Sequence, residues 1–333
     1  MRPTLGLPAI YVAHFADAVL GDPQQHGDLM RACGLDPGHI DPEKHIPLEQ
    51  VLALVAAIDA QARPGWHIGP ALSLEAAHHG PVGIAVGSAP TLGRALDALA
   101  RFEPLRFSVA ALHCRLDDRV WRARVLPLID PEGPWELLLE IHLLSLAGLL
   151  GRLLGAHSRL LSLHMPALYR PWRSALTSRL GSRLRLRGRH YELQLPADSL
   201  ALPSRLASAD IHGDAMARCE RLLGQEADTA SITAQVQARL LATAGALPGI
   251  EHMARELCCS SRTLTRRLSA AGTSYRQLVD NTRRVLAADL LRCSDQTLGE
   301  IADQLGYRDP ANFGRACRRW FGRSPGALQR RRD

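Results

Sequence analysis

The sequence lacks the features that would point to an enzyme, a metalloprotein or a secreted protein. Its seven cysteines are odd in number and irregularly spaced, and no two of them form a Cys-x-x-Cys pair. Neither a zinc ribbon nor a disulfide framework is therefore indicated. The first residues lack the basic segment and long apolar run of a signal peptide. Walker, dinucleotide-binding and His-Glu-x-x-His motifs are also missing. We expect reduced thiols in the cytoplasm and no cofactor or metal.

Long hydrophobic runs are also scarce. The longest uncharged apolar run, Ile141 to Gly151, is bounded by Glu140 and Arg152. Eleven residues are too few to cross a bilayer, so we expect a buried helix here and no membrane partner.

Lysine is almost missing, because Lys44 is the only one, and arginine supplies the other basic residues. From residue 231 to the end there are seventeen arginines against nine acidic residues, and the chain as a whole carries a net charge of +7. The preceding residues are therefore close to neutral. A basic segment attached to a near-neutral body indicates a polyanion as the partner of that segment.

The first two thirds of the chain predict an α+β domain. Of the 333 residues, 46% are hydrophobic, which is enough for two domains with buried cores. The early part is mainly helical in its apolar spacing, and strand-like alternation follows. Helices are predicted over 17–35, 47–62, 88–101, 134–154 and 171–180, and strands over 106–116, 119–129, 159–165 and 184–195.

A polar segment, Gly224 to Asp228, is the best candidate for a linker, with Thr229-Ala230-Ser231 as the cap of the next helix. We therefore predict two domains, residues 1–225 and residues 226–333. The second is predicted to be all α-helical.

One unit occurs twice in the second domain. A short helix over 250–257 or 298–305 is followed by a tight turn and a longer basic helix. The long helices are predicted over 261–271 and 310–320. Two helices joined in this way form a helix-turn-helix unit, whose second helix enters the major groove of DNA.

The ends of the long helices carry the expected signals. Ser260 and Asp309 can cap their first turns, and Gly272 and Gly322 stand where they stop. Between the two units, residues 274–292 read as one helix of about 29 Å, close to the roughly 34 Å of one DNA turn. Such a helix could hold two reading helices in successive major grooves.

The faces of the long helices separate core positions from DNA-contacting positions. Apolar residues at helical spacing are expected to pack inward, as Leu264 and Leu268 do in the first unit. Arginine pairs with guanine and asparagine with adenine in the major groove, although solvated arginines of an amphipathic helix remain the alternative. We assign base reading to Arg262, Thr263, Arg266, Ala311, Asn312 and Arg315, and phosphate contact or positioning to Ser260, Arg267, Arg284, Arg318 and Arg319.

These residues also carry a family resemblance. The segment 247–330 resembles the DNA-binding domain of the AraC/XylS family of transcription regulators, above all over 260–268 and 301–320. Cys317 departs from the pattern, since an aromatic residue is common there. Residues 1–225 resemble, less closely, the arabinose-binding-like sensor domain of such regulators.

The resemblance implies a transcription regulator rather than an enzyme. It implies promoter DNA, RNA polymerase, a second copy of the chain and an unknown small-molecule effector as partners. Activation is the expected mode of regulation, with repression as the alternative that the sequence leaves open. An effector pocket is expected between the helix over 134–154 and its flanking strands. Two alternatives are a DNA-tethered enzyme and an architectural DNA binder without a ligand. No catalytic residue pattern in the sequence supports the enzyme.

Three further clusters are interpreted as structural. His78-His79 is expected to be a loop pair without a metal or catalytic role. Cys258-Cys259 should pack in the first tight turn. The arginines between residues 170 and 189 are expected to form a solvated surface.

Overall fold

The computed structural model describes two compact units, one ending at Gly224 and the other beginning at Gln225. Each unit is described by itself below. The described residues are 6–19, 23–32, 34–38, 41, 44–117, 119–127, 135–166, 171–188, 190–229, 232–243, 247–293, 296–307 and 309–329.

The first unit begins with helices and a small antiparallel ribbon. Strand β1 (Gly6–Pro8) pairs with β2 (His45–Pro47). The helix predicted over 17–35 is wrong in its bounds, because one helix begins at Ala9 and the next ends at Ala32, and residues 34 and 35 are not helical; residues 20–22 lie outside the described residues. The helices are α1 (Ala9–Val19), α2 (Pro23–Ala32), α3 (Leu48–Asp59), α4 (Ile68–Ser73), α5 (Gly80–Gly87) and α6 (Leu92–Phe102).

A five-stranded sheet forms the other half of this unit, in the order β3-β4-β7-β5-β6. The predicted hairpin is confirmed, since β3 and β4 pair antiparallel from Asp117↔Val120 outward. Asp118, which belongs to the predicted turn of this hairpin, lies outside the described residues. Strands β5 and β6 are parallel, and the other pairs are antiparallel. The strands are β3 (Ala110–Asp117), β4 (Val120–Pro127), β5 (Ser162–Pro166), β6 (Leu184–Gly188) and β7 (Tyr191–Pro196).

The long helix α7 (Trp135–Leu154) is the centre of the first core, with Leu143, Leu144 and Leu150 fully buried. The stretch from Glu136 to Leu160 is long and apolar enough to cross a membrane, but 83% of its most apolar part is buried inside the protein. That burial is typical of a core helix.

Helix α4 lies very close to α7 because residue 148 is glycine. A Cβ atom at Gly148 would stand 2.5 Å from the carbonyl oxygen of Leu72, well inside van der Waals contact. The close crossing therefore requires a residue without a side chain.

Helices α8 (Arg173–Leu180) and α9 (Ala209–Thr229) complete the first part of the chain. The predicted linker, Gly224 to Asp228, is not an irregular segment, because it lies within α9. Gln, Glu and Ala are good helix formers, and their propensity outweighs the single glycine. Ala230 and Ser231 of the predicted cap lie outside the described residues.

The second unit is all α-helical in its described residues, as predicted. The helix predicted over 274–292 is present as α13 (Tyr275–Cys293), and a short C-terminal helix, α16, was not predicted. The helices are α10 (Ile232–Ala242), α11 (Ile250–Glu256), α12 (Ser261–Ala270), α13 (Tyr275–Cys293), α14 (Leu298–Gln304), α15 (Pro310–Phe321) and α16 (Pro325–Gln329).

Helix α13 belongs to both hydrophobic cores of this unit. Its first half contributes Leu278 to a core with α10, α11 and α12. Its second half contributes Leu290 and Leu291 to a core with α14 and α15, against which Leu328 of α16 packs. One continuous helix therefore forms part of the wall of both helix-turn-helix cores.

Candidate nucleic-acid interface

The two helix-turn-helix units make the same turn with different residues. After α11, the amide of Cys258 donates to the carbonyl of Arg255 (3.0 Å), and the amide of Cys259 donates to that of Ala254 (2.9 Å). After α14, Gly306 donates to Asp303 (2.9 Å), and the next amide donates to the carbonyl of Ala302 in the same way. Both turns need a left-handed residue, which is Cys258 at φ 49° and Gly306 at φ 76°. The first turn therefore places a side chain where glycine is favoured.

The caps predicted for the long helices are present. Ser260 accepts a hydrogen bond from the amide of Thr263 (3.1 Å), and the carboxylate of Asp309 accepts one from the amide of Ala311 (2.9 Å). Gly322 ends α15 in the left-handed conformation, at φ 67°. Each cap fixes where the reading helix starts or stops, and hence which residues its first turns present.

The inward faces of α12 and α15 are as predicted. Leu264 and Leu268 are fully buried, as are Phe313 and Cys317. Burial raises the pKa of the Cys317 thiol to about 12, so it is a neutral packing group. The departure from the family pattern at this position therefore stays inside the core and away from the outward face.

The outward faces carry the residues assigned to base reading. Arg262 and Arg266 are exposed one turn apart on α12. Arg315 is exposed on α15 and donates a hydrogen bond to the side-chain oxygen of Asn312. This bond holds the guanidinium and the amide side by side. Thr263 is half-buried, and its hydroxyl lies 2.9 Å from that of Ser260. Ala311 is exposed at the start of α15.

Arg266 and Arg315 occupy equivalent places in the two units. Each is the sixth residue after its N-cap, Ser260 or Asp309. Both therefore project at the same angle from the start of their helices.

The residues assigned to phosphate contact differ in their freedom. Arg267 and Arg318 are exposed, whereas Arg284 is half-buried and donates to Asn281 (3.2 Å). Ser260 serves as the N-cap described above. Arg319 is exposed but forms an ion pair of 2.6 Å with Asp280.

Asp280 is a residue that sequence reasoning missed. Its second carboxylate oxygen accepts a hydrogen bond of 2.9 Å from the indole N–H of Trp320. Asp280 lies on α13 and its two partners lie on α15, about forty residues later. A local pattern could not have linked them. The nearby Arg283 also links α13 to the second helix-turn-helix unit. Its side chain donates to the carbonyl of Leu305 and lies over the ring of Tyr307.

Comparison with known families identifies both parts of the chain. A family model described as the arabinose-binding domain of AraC transcription regulators matches residues 25–204, more than half of the chain. The chain belongs to the AraC family of transcription regulators. A second model, described as a helix-turn-helix domain, matches residues 253–331 of this AraC-type regulator.

Relatives of this AraC-type regulator are named as regulators. The ornithine utilization regulator of Pseudomonas aeruginosa is 38% identical over 133 residues, which cover 40% of this chain and 39% of the relative. VqsM of the same species is 42% identical over 77 residues, 23% of this chain and 24% of the relative. VirS of Mycobacterium tuberculosis is 41% identical over 75 residues, 22% of each. The matches thus span about two fifths or less of these relatives. Their names agree with the expectation that the chain is not an enzyme.

A solved structure of the transcriptional regulator CdpR from Pseudomonas aeruginosa was also found. The match covers 91% of this chain and 96% of the CdpR chain, with 22% sequence identity and a TM-score of 0.42.

The arabinose-binding-type domain of this AraC-type regulator contains an apolar cavity of about 60 Å³. Its walls come from α1, α3, α5, α6 and α7, with Phe107 and the loop residue Trp66. This cavity does not lie between α7 and the strands of the sheet, where the effector pocket was predicted. Leu163 of β5 and Leu193 of β7 are fully buried, and such close packing fills the side of α7 that faces the sheet.

A polar cluster lines one part of this cavity. The hydroxyl of Tyr11 lies 2.8 Å from Nδ1 of His79, and Nε of Arg106 donates to the same hydroxyl at 3.4 Å. Burial, reinforced by the positive charge of Arg106, lowers the pKa of His79 to about 3. The ring is therefore neutral at physiological pH. His78, by contrast, accepts a hydrogen bond from the amide of Glu75 (3.0 Å) in a short turn. The two histidines therefore differ, because His79 is buried in the cavity wall and His78 is not part of that wall.

Glu103 and His142 complete the cluster. Nε2 of His142 lies 2.7 Å from one carboxylate oxygen of Glu103. Within the part of the chain that the structure describes, no hydrogen bond reaches Oε2 of Glu103 or Nε2 of His79. Phe107 stacks on His142 with ring centroids 3.7 Å apart. The cavity wall therefore combines apolar surface with buried polar atoms whose bonding capacity is unused.

Proposed function

We propose that the chain is a sequence-specific regulator that places α12 in one major groove of promoter DNA and α15 in the next. The observation that carries this proposal is the sharing of α13 between the two cores, together with the equivalent arginines Arg266 and Arg315. A helix of 19 residues is about 29 Å long. That length is close to the roughly 34 Å between successive major grooves on one side of the duplex.

Within this arrangement, Arg266 and Arg315 read guanines and Asn312 reads adenine, because these side chains match the edges of those bases. Exposed arginines at the flanks of the two helices position the protein on the phosphates. Base reading is proposed for Arg262, Thr263, Arg266, Ala311, Asn312 and Arg315, and positioning for Ser260, Arg267, Arg284, Arg318 and Arg319.

Residues 1–225 are proposed to form the effector-binding and dimerisation domain, and residues 226–333 the DNA-binding domain. The clustering of contacts into units on either side of Gly224 supports this division. An effector bound to the first domain shifts the population toward an arrangement in which both reading helices engage DNA. The regulator then acts in the cytoplasm as an activator, through contact with RNA polymerase.

The test begins with selection of the preferred site from a random DNA library, using the full chain. Arg266→Ala and Arg315→Ala are then titrated against that site and against its single-base variants. Each substitution should cost about 1–3 kcal/mol of binding free energy and relax sequence preference in a different half of the site. The two relaxed regions should lie about one helical turn apart.

Arg276→Ala is the matched control, since it removes the same charge from an exposed position on α13. It should leave the sequence preference unchanged. Equal losses of affinity on the selected site and on random DNA would show that Arg266 or Arg315 contacts phosphate, and the assignment would be wrong.

A further inference from the structure

The cavity in the first unit contains polar atoms that nothing in the described part of the protein satisfies. Among the described residues, Nε2 of His79 and Oε2 of Glu103 have no hydrogen-bond partner, whereas Oε1 of Glu103 lies 2.7 Å from Nε2 of His142. Both residues line the cavity and are almost fully buried, with 5% and 3% of their surface exposed. Buried polar groups are nearly always paired, because each unpaired one costs free energy. Their position points to a ligand that supplies the missing bonds.

Tyr11 and Arg106 engage one side of the His79 ring. A guanidinium can only donate, so the Tyr11 hydroxyl accepts from Arg106, and it pairs with Nδ1 of His79 in a direction set by the tautomer of the ring. Nε2 of the neutral ring is therefore a donor in one tautomer and an acceptor in the other. Glu103 offers carboxylate oxygens as acceptors. The cavity thus presents a ring nitrogen and a carboxylate on an otherwise apolar wall.

The charges in the wall are already balanced. Arg106 is a cation and Glu103 an anion, and the backbone amide of Arg106 donates to the carbonyl of Glu103 in the same turn (2.8 Å). A carboxylate attracted by Arg106 would be repelled by Glu103, and an ammonium attracted by Glu103 would be repelled by Arg106, so neither charge is compensated for its loss of hydration. An unsubstituted hydrocarbon would leave both His79 and Glu103 unpaired. An uncharged ligand with one polar end avoids all of these costs.

We propose that this cavity binds an uncharged, mainly apolar small molecule whose hydroxyl or amide group forms a hydrogen bond with Nε2 of His79 and donates one to Glu103. The ligand is no bulkier than benzene, because the cavity measures about 60 Å³ and benzene occupies one of roughly 150 Å³. This inference rests on the proposed effector role of the first domain and names the chemistry of its ligand.

The test compares three probes of the same length that differ only in their polar end: butan-1-ol, butyrate and butylammonium. Their binding to the full chain is followed by ligand-detected NMR titration. Butan-1-ol should bind saturably and at least tenfold more tightly than either charged probe. Glu103→Gln removes the negative charge, so it should weaken the binding of butan-1-ol. The ratio of butan-1-ol affinity to butyrate affinity should fall at least threefold. Glu136→Gln, at an exposed position of α7, should change neither affinity.

Equal or tighter binding of a charged probe would overturn the proposal, and so would the lack of saturable butan-1-ol binding to a folded chain. A Glu103→Gln variant with an unchanged butan-1-ol to butyrate ratio would also overturn it. DNA affinity for the selected site, measured with and without butan-1-ol, separates this inference from the proposed function. If butan-1-ol binds as expected and DNA affinity stays the same, the cavity chemistry stands and the effector role fails.

Discussion

Asp280 of α13 neutralises one of the arginines that we propose as a DNA contact of α15. It pairs with Arg319 at 2.6 Å and also holds the indole of Trp320. Arg319 is 62% exposed, so the pair lies at the surface, where such ion pairs contribute little to stability. Its effect is therefore on the availability of Arg319 rather than on folding.

Asp280→Asn should release Arg319 while leaving an oxygen to accept from Trp320. We expect tighter DNA binding at low salt and a log–log salt slope steeper by about 0.9, the value for one added phosphate contact. Fluorescence anisotropy across a salt series measures both. Asp303→Asn is the control, because it removes the same charge from an exposed position on α14. If both variants steepen the slope equally, Arg319 is not the residue released.

At the scale of elements, the two helix-turn-helix units form the same left-handed turn with different residues. Cys258 and Gly306 take the same left-handed backbone and the same pair of hydrogen bonds. A side chain in that conformation costs about 1–2 kcal/mol, part of which is offset by the greater freedom of glycine in the unfolded chain. The first turn is therefore the more strained of the two.

Cys258→Gly should raise the free energy of unfolding by about 0.5–1 kcal/mol, and Gly306→Ala should lower it by about 1 kcal/mol. Urea unfolding followed by circular dichroism measures both changes. Cys258→Ala keeps the Cβ atom and removes only the thiol, so it should lack the gain. A gain of equal size in Cys258→Ala would mean that the thiol, not the backbone, is responsible.

The same elements show what local sequence could predict. The long helices α7 and α13 and the β3–β4 hairpin follow from hydrophobic period and turn residues, because those signals are local. The bounds of α1 and α2 and the three-residue strand β1 were missed, since short elements carry too few residues for a period. The helical path through Gly224 was also missed, because polarity alone does not distinguish a linker from an exposed helix.

The candidate sites divide in the same way. The outward arginines of α12 and α15 were predictable, because one helix period places them. The cavity does not lie on the side of α7 where the effector pocket was predicted. Tyr11, His79 and Glu103 come from separate elements, and only the folded chain brings them together. The same holds for Asp280, whose partners are about forty residues away.

At the scale of the whole molecule, we predict that residues 230–333 bind DNA without the first unit, because both cores and α13 lie within them. About six phosphate contacts would give a log–log salt slope of roughly −5. Anisotropy titration of this fragment measures the slope, and residues 1–224 serve as the control that should not bind. A flat salt dependence would contradict an interface built on arginine–phosphate contacts.

The sharing of α13 has a consequence for the chain as it leaves the ribosome. The first core is complete once Leu278 and Val279 have emerged, because all its other members precede them in the sequence. The second core needs Leu290 and Leu291 from a helix already anchored in the first. Folding of the DNA-binding domain should therefore proceed from its N-terminal side, with the first helix-turn-helix core as the template for the second. A chain that stopped after α13 would keep a folded first helix-turn-helix core. It would expose Leu290 and Leu291 as an apolar, aggregation-prone surface.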